Sequence, residues 1–176
     1  MREERSKTNI VLIGMAGSGK SSVGSVLAPL LDLAFVDVDR LIEEDQQLPL
    51  QQSLNDLGVQ GFRALEEKII LAMDYHDHVI ATGGSAIYSR AGMEHLQHSG
   101  VLIFLDVPLP ILKKRVGDFS SRGLVKTGSQ SFEQVFAERL PLYRRHADLV
   151  VECGEQSVMA ICESIRTRLA DSFYHF

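Results

Sequence analysis

The chain has 176 residues, of which 45% are hydrophobic and 23% charged, as in an ordinary globular domain and unlike disordered, collagen-like or coiled-coil proteins. Its 18 Lys and Arg residues against 23 Asp and Glu residues give a net charge of −5, which argues against nucleic acids and anionic membranes as partners. A small anion held by a local basic cluster is still compatible with this charge.

The predicted elements alternate between short apolar strands and longer helices. Residues 1–8 are polar and charged, and no apolar segment of a signal peptide follows them. Nearly continuous apolar runs predict five strands of a parallel sheet, at residues 10–13, 34–38, 79–81, 101–105 and 149–151. Helices are predicted at residues 20–31, 39–45, 62–74, 90–98, 108–116 and 132–145, with a last amphipathic helix after Ser157. This alternation predicts a three-layer α/β/α fold with right-handed crossovers.

A glycine-rich loop joins the first predicted strand to the first helix. Residues 14–21 read G-M-A-G-S-G-K-S and match the phosphate-binding pattern G-x-x-x-x-G-K-[ST] at every defined position. Glycines let backbone N–H groups surround a phosphate chain, and the helix N-terminus adds partial positive charge. Lys20 is placed to reach the β- and γ-phosphates of ATP and Ser21 to bind Mg²⁺. The loop therefore predicts binding of a nucleoside triphosphate.

The second predicted strand ends in the sequence F-V-D-V-D. Period-two alternation predicts that Asp37 and Asp39 point to the same side, at the strand end where open α/β sheets place ligands. One carboxylate would organise Mg²⁺, and the other would accept a proton from a hydroxyl nucleophile. Helix-capping aspartates are the alternative interpretation. The neighbouring phosphate loop favours the catalytic one.

Three further motifs follow along the chain. In F-R-A-L-E, Arg63 and Glu66 are three residues apart on one helix face, so Glu66 is expected to hold Arg63 in position. In T-G-G-S, Gly83 and Gly84 follow the third strand and allow backbone N–H groups to approach an anion or hydroxyl closely. In R-L-P-L-Y, Arg139 lies on a helix and is free to face the site. Each motif alone has an ordinary structural explanation.

Residues 117–131 contain few apolar and several flexible residues, which predicts a mobile loop. It is either a plain surface loop or a lid over the site, since lids close over many active sites. Ser131 followed by Gln134 fits a capping box that restarts the helix. Further on, Cys153 and Cys162 are too few for a disulfide framework or a structural zinc site, which favours two small buried residues in a reducing cytoplasm.

Taken together, these motifs resemble the shikimate kinase family. The resemblance runs from Ile10 to the last helix and rests on the phosphate loop, D-x-D, F-R-x-x-E, T-G-G, the lid arginine and R-x-P-x-Y. It implies a P-loop fold like that of the nucleoside monophosphate kinases, with a five-stranded parallel sheet and a mobile lid at about residues 117–131. The implied reaction is phosphorylation of a hydroxyl of shikimate, a cyclic carboxylic acid, by ATP with Mg²⁺ in aromatic amino-acid biosynthesis.

Carried over position by position, the resemblance also implies roles for individual residues. Lys20, Asp39 and Arg122 would be catalytic, with Asp39 the candidate base and Arg122 the lid arginine. The ATP-binding residues would be Gly17, Ser18, Gly19, Lys20, Ser21, Ser22, Arg115, Arg122 and Gln156. The substrate would contact Asp39, Arg63, Gly83, Gly84 and Arg139, and Mg²⁺ would contact Ser21 and Asp37. We expect a monomeric, cytoplasmic enzyme of one domain, residues 1–176, with a small-molecule substrate.

The chain also departs from the usual family pattern. Gly123 stands where the lid motif usually has proline, which predicts a more flexible open lid. Ser85 stands in the third position of a usual triple glycine and adds a side chain beside the substrate pocket. Val38 stands where a small or polar residue is common, and no acidic residue precedes F-R-x-x-E. Two alternatives therefore stay open: a kinase for another small polyol acid such as gluconate, and a catalytically silent nucleotide-binding paralogue.

Overall fold

The computed structural model describes residues 7–116, 125 and 129–171. Its centre is a sheet of five parallel strands in the order β2-β3-β1-β4-β5. The strands are β1 (Asn9–Ile13), β2 (Ala34–Asp37), β3 (His78–Ala81), β4 (Gly100–Asp106) and β5 (Leu149–Glu152). The parallel sheet predicted from the apolar runs is therefore confirmed.

Helices connect the strands throughout the described residues. They are α1 (Lys20–Leu30), α2 (Val38–Gln46), α3 (Leu50–Ala72), α4 (Arg90–Ser99), α5 (Leu109–Val116), α6 (Phe132–His146) and α7 (Val158–Asp171), with a 3-10 helix at Ala86–Tyr88. Every residue of β1 is buried, because helices cover the central strands on both faces. The core is therefore continuous through the sheet.

Two predicted element boundaries are wrong for identifiable reasons. The helix predicted at residues 62–74 is the second part of α3; an unpredicted first part begins at Leu50, and the two parts meet at a kink at Gly58, whose φ of 66° and ψ of 178° are not helical. The strand predicted to reach Val38 stops at Asp37, whose carboxylate accepts the Asp39 N–H at 3.0 Å and caps α2. Asp39 therefore lies in the first turn of a helix, and the period-two argument does not describe its direction.

Two other structural expectations are confirmed. Ser131 caps α6, with its side chain and that of Gln134 each accepting a backbone N–H of the other residue. Cys153 and Cys162 are buried and unpaired. Across the part of the chain that the structure describes, no helix combines the length and the apolar character needed to cross a membrane.

The strand order places the carboxyl ends of β1, β2 and β3 side by side. The loop after β1, the β2–α2 junction and the turn after β3 therefore meet at one edge of the sheet. Ligands of open α/β sheets bind at this edge, where neighbouring connections run to opposite faces. The three motifs that follow these strands in the sequence are brought together here.

Candidate active site

The loop between β1 and α1 curls around the helix N-terminus. Gly17 and Gly19 have φ 80° and 92°, in the left-handed region that favours glycine. At Gly17 a Cβ atom would also lie only 2.5 Å from Val116 Cγ2, so the α5 side chain leaves no room for a larger residue. The turn is therefore specified both by backbone conformation and by packing.

Lys20 is the first residue of α1, and its side chain is buried under the loop. Its Nζ donates to the carbonyl oxygens of Gly14 at 2.8 Å and Met15 at 2.9 Å. Burial lowers the pKa of the Lys20 ammonium to about 8, although the charges of Asp39 and Asp37 act in the opposite direction. The ammonium is thus a cation held close to two carboxyl groups at the mouth of the loop.

The two aspartates have different environments. Asp37 is buried at the end of β2, and the hydrogen bonds among described residues use only its Oδ1. Asp39 is half-buried, and burial followed by the neighbouring charge of Asp37 raises its pKa to about 6. A carboxyl group with this pKa can hold or release a proton near neutral pH, as a general base must. Ser21, next to Lys20, is exposed.

Glu66 does not pair with Arg63, so the ion pair predicted from their spacing is wrong. The carboxyl of Glu66 accepts the Ser85 hydroxyl at 2.5 Å, and its Oε1 is buried without a hydrogen-bond partner among the described residues. Burial raises the pKa of Glu66 to about 7, partly opposed by the hydrogen bond from Ser85. Ser85 has φ −91°, outside the left-handed region that favours glycine, so its backbone accommodates the side chain.

Arg63 and Arg139 meet at the ring of Tyr88. The guanidinium carbon of Arg63 lies 3.8 Å from the ring centroid, and that of Arg139 lies 5.2 Å away. Arg139 is only 1% exposed, and it donates to the Tyr88 hydroxyl at 3.3 Å and to the Val125 carbonyl. The Arg139 side chain also lines the pocket that contains Lys20 and Asp39.

Most of the predicted site residues line one pocket of about 230 Å³. Those in its wall are Gly17, Gly19, Lys20, Ser21, Ser22, Asp39, Gly83, Gly84 and Arg139. Glu66, Ser85, Leu50 and Phe62 also belong to the wall, although the sequence motifs predict no ligand contact for them. Leu50 could not be recognised from the sequence, because it reaches the pocket only through the start of α3, which the helical pattern missed.

Gly83 and Gly84 form the part of the wall that has no side chains. A Cβ atom on Gly83 would lie 2.2 Å from Glu66 Oε1, and one on Gly84 would lie 3.0 Å from Arg139 Nη1. The Tyr143 hydroxyl of the R-L-P-L-Y motif donates to the Gly84 carbonyl at 2.7 Å, and its ring stacks on Phe104 with centroids 5.1 Å apart. The α6 motif therefore holds the turn after β3 in place.

A second cavity, of about 410 Å³, lies on the other side of the phosphate loop. Arg115 and Gln156 line it together with Gly17, Ser18, Gly19 and Ser22. Arg115 donates to the Gly154 carbonyl at 2.9 Å, and Gln156 accepts the Gly154 N–H, so both side chains are held by the loop after β5. Arg122 and most of the predicted lid lie outside the described residues.

The fold and the site define a P-loop phosphotransferase with a nucleoside monophosphate kinase-like fold: a parallel sheet, a complete phosphate loop and two carboxyl groups beside its lysine. A family model described as shikimate kinase matches residues 16–170. The chain belongs to the shikimate kinase family.

Individual shikimate kinases are similar to this chain over most of its length. A shikimate kinase of Sulfurihydrogenibium sp. is 34% identical over 162 residues, which are 92% of this chain and 97% of that protein. One of Prochlorococcus marinus is 39% identical over 84% of this chain and 78% of its own length. The solved shikimate kinase of Acinetobacter baumannii in complex with shikimate is 28% identical and superposes with a TM-score of 0.87, covering 97% of both chains.

Proposed function

We propose that this chain transfers the γ-phosphoryl group of ATP to a ring hydroxyl of shikimate. The observation that carries the proposal is that one pocket contains the phosphate-loop lysine, a carboxyl group with a near-neutral pKa and a buried arginine. A nucleotide phosphate, a hydroxyl and a carboxylate are the ligands that these three groups suit. Shikimate carries both the hydroxyl and the carboxylate.

The nucleotide would occupy the phosphate loop and the cavity beside it. The backbone from Gly17 through Ser22 would surround the phosphates, and Lys20 would neutralise charge on the β- and γ-phosphates. Arg115 would stack on the adenine, and Gln156 would lie at its edge; their shared cavity supports this arrangement. Arg122 is proposed to close over the phosphates with the lid, which would exclude water from the reaction.

The residues present also fit a magnesium ion. Ser21 offers an exposed hydroxyl and Asp37 a carboxylate with one oxygen not used by the described hydrogen bonds, and hard oxygen donors of this kind suit Mg²⁺. We propose that these two residues hold it. When bound, Mg²⁺ would offset negative charge on the phosphate oxygens during transfer.

Asp39 is the proposed base for the substrate. It would accept the proton of the shikimate hydroxyl as that oxygen bonds to the γ-phosphorus and ADP leaves on the opposite side. Arg139, with Arg63 beside it at Tyr88, would bind the carboxylate, because guanidinium groups match carboxylates with paired hydrogen bonds. Backbone groups at Gly83 and Gly84 would contact the ring between these two ends.

A substrate panel tests this proposal directly. ADP release with ATP and Mg²⁺ is measured for shikimate, gluconate and no added acceptor. Turnover with shikimate well above the background without acceptor is expected. Turnover with gluconate alone would move the assignment to another polyol acid, and ATP binding without turnover of any acceptor would indicate a silent paralogue.

A matched pair of variants tests the proposed base. Asp39→Asn should abolish transfer while ATP binding measured by calorimetry stays close to that of the wild type. Asp45→Asn makes the same chemical change at an exposed position of the same helix and should leave turnover unchanged. Full activity of Asp39→Asn would show that the base is assigned to the wrong residue.

We further propose that a single chain is sufficient for turnover and that it acts as one domain in the cytoplasm. All proposed contacts come from one copy, and the two buried, unpaired cysteines agree with a reducing compartment. Light scattering of the active protein at assay concentration should give the mass of a monomer.

A further inference from the structure

Tyr88 ends the 3-10 helix after the T-G-G-S turn and contacts both arginines assigned to the substrate carboxylate. Its ring lies under the Arg63 guanidinium, 3.8 Å from the guanidinium carbon to the ring centroid. Its hydroxyl accepts a hydrogen bond from Arg139 Nε at 3.3 Å. One side chain thus links an arginine of α3 to an arginine of α6.

The direction of these hydrogen bonds follows from the chemistry of the partners. The Tyr88 hydroxyl donates its proton to Glu138 Oε1 at 2.5 Å, because a carboxylate can only accept. Its oxygen is then free to accept from Arg139. Glu138 also accepts from Gln130 at 2.9 Å, so its carboxylate is itself held in place. The hydroxyl therefore has a fixed orientation beside Arg139.

Tyr88 also replaces the partner that the spacing of the helix predicts for Arg63. Glu66 is bonded to Ser85, and among the described residues Arg63 forms no ion pair and its buried Nε has no hydrogen-bond partner. A cation over an aromatic face is attracted to it without using its N–H groups. The contact with the Tyr88 ring therefore orients the Arg63 guanidinium without engaging its N–H groups.

We propose that Tyr88 is a positioning residue that makes the site selective for substrates with a carboxylate. Its ring holds Arg63 in place, and its hydroxyl holds Arg139. This inference rests on the proposed function, in which the two arginines bind the carboxylate. Two like charges that must converge on one anion are costly to bring together, and side chains held in place beforehand avoid that cost at binding. The carboxylate does not react, so its contacts are the same before and during transfer, and Tyr88 acts on the KM for shikimate and not on kcat.

The test compares Tyr88→Phe, which keeps the ring, with Tyr88→Leu, which removes ring and hydroxyl. Tyr75→Phe is the matched control, since Tyr75 precedes the amino-terminal end of β3, and the site lies at the carboxyl ends of the strands. Steady-state kinetics are measured with shikimate and with its methyl ester, which lacks the negative charge. The KM for ATP and the melting temperature are measured in parallel.

Tyr88→Phe should raise the KM for shikimate roughly three- to tenfold, because the long 3.3 Å hydrogen bond to Arg139 is lost. Tyr88→Leu should raise it on the order of 10- to 100-fold, because the cation–π contact is lost as well. In both variants kcat and the KM for ATP should stay within about twofold of the wild type. The KM for the methyl ester should be nearly the same in all proteins, since the arginines have no carboxylate to hold.

Three results would overturn the inference. The first is an unchanged KM for shikimate in Tyr88→Leu, and the second is an equal rise for acid and ester. The third is a lower melting temperature without loss of acid selectivity, which indicates a purely structural role. Wild-type protein that does not turn over shikimate would refute the proposed function itself. The wild type is therefore assayed first, so that this failure is distinguished from a failure of the inference about Tyr88.

Discussion

Gly83 lies where the chain leaves β3 and passes two carboxyl groups, and one added methyl group tests that packing. In Gly83→Ala the new Cβ would lie 2.2 Å from Glu66 Oε1 and 2.9 Å from Asp39 Oδ1. The φ angle of Gly83 is outside the left-handed region, so the backbone accepts alanine. The substitution therefore acts through space alone.

The distances set the size of the expected effect. An ordinary contact begins near 3.4 Å, so Glu66 Oε1 must retreat by roughly 1 Å. Glu66 is only 1% exposed, and its other oxygen is bonded to Ser85 at 2.5 Å, so its movement is restricted. Overpacking of this kind costs about 1–3 kcal/mol of unfolding free energy. Displacing the proposed base by a few tenths of an ångström should lower kcat/KM for shikimate on the order of tenfold, because a misplacement of about 1 Å can cost about 100-fold.

The assay combines kinetics with shikimate and urea unfolding, with the KM for ATP as an internal control expected to change less than about twofold. A second comparison places Gly83→Ala in a Glu66→Ala background, where Asp39 Oδ1 is the one atom left of the three nearest to the new methyl group. Its cost in unfolding free energy should be smaller there by about 1 kcal/mol or more, because the closest contact has been removed. Wild-type kcat/KM in Gly83→Ala would show that the methyl group is accommodated without displacing Asp39. An equal loss of unfolding free energy in both backgrounds would show that the contact with Glu66 carries no cost.

Three other properties can be predicted from the same structure. As the pH rises, kcat/KM for shikimate should increase through about pH 6, where Asp39 loses its proton. It should decrease above about pH 8, where Lys20 loses its proton. A profile that is flat from pH 5 to pH 9 would contradict the roles assigned to Asp39 and Lys20. Arg115→Leu should raise the KM for ATP about tenfold and leave the KM for shikimate unchanged. Initial rates at varied ATP would measure the first of these constants. An equal rise of KM for both substrates would contradict a separate nucleotide cavity. Gly24→Ala places a Cβ 2.4 Å from Phe35 Cε2, and this overpacking should outweigh the gain in helix propensity. The unfolding free energy measured in urea should fall by about 1 kcal/mol. An unchanged or higher unfolding free energy would show that the Phe35 ring moves aside freely.

Much of the fold was predictable because its signals are local. A continuous apolar run predicts a buried strand whichever neighbouring strands it pairs with in the sheet. The phosphate loop is recognised from eight consecutive residues. Local signals also explain the errors. Gly58 kinks α3 and separates its first part from the part that the pattern predicts, and Asp37 ends β2 early because its side chain caps α2.

The class of fold, the phosphate loop and the set of charged residues available to a site all follow from the amino-acid pattern. How those charges are partnered depends on the packing of separate elements. Spacing along α3 predicts that Glu66 pairs with Arg63, but Glu66 bonds to Ser85, 19 positions further on, and Arg63 stacks on Tyr88. Arg139 reaches Tyr88 from 51 positions away. A carboxylate or a guanidinium accepts several partners of similar strength, so the choice depends on which one the packing of separate helices brings within bonding distance.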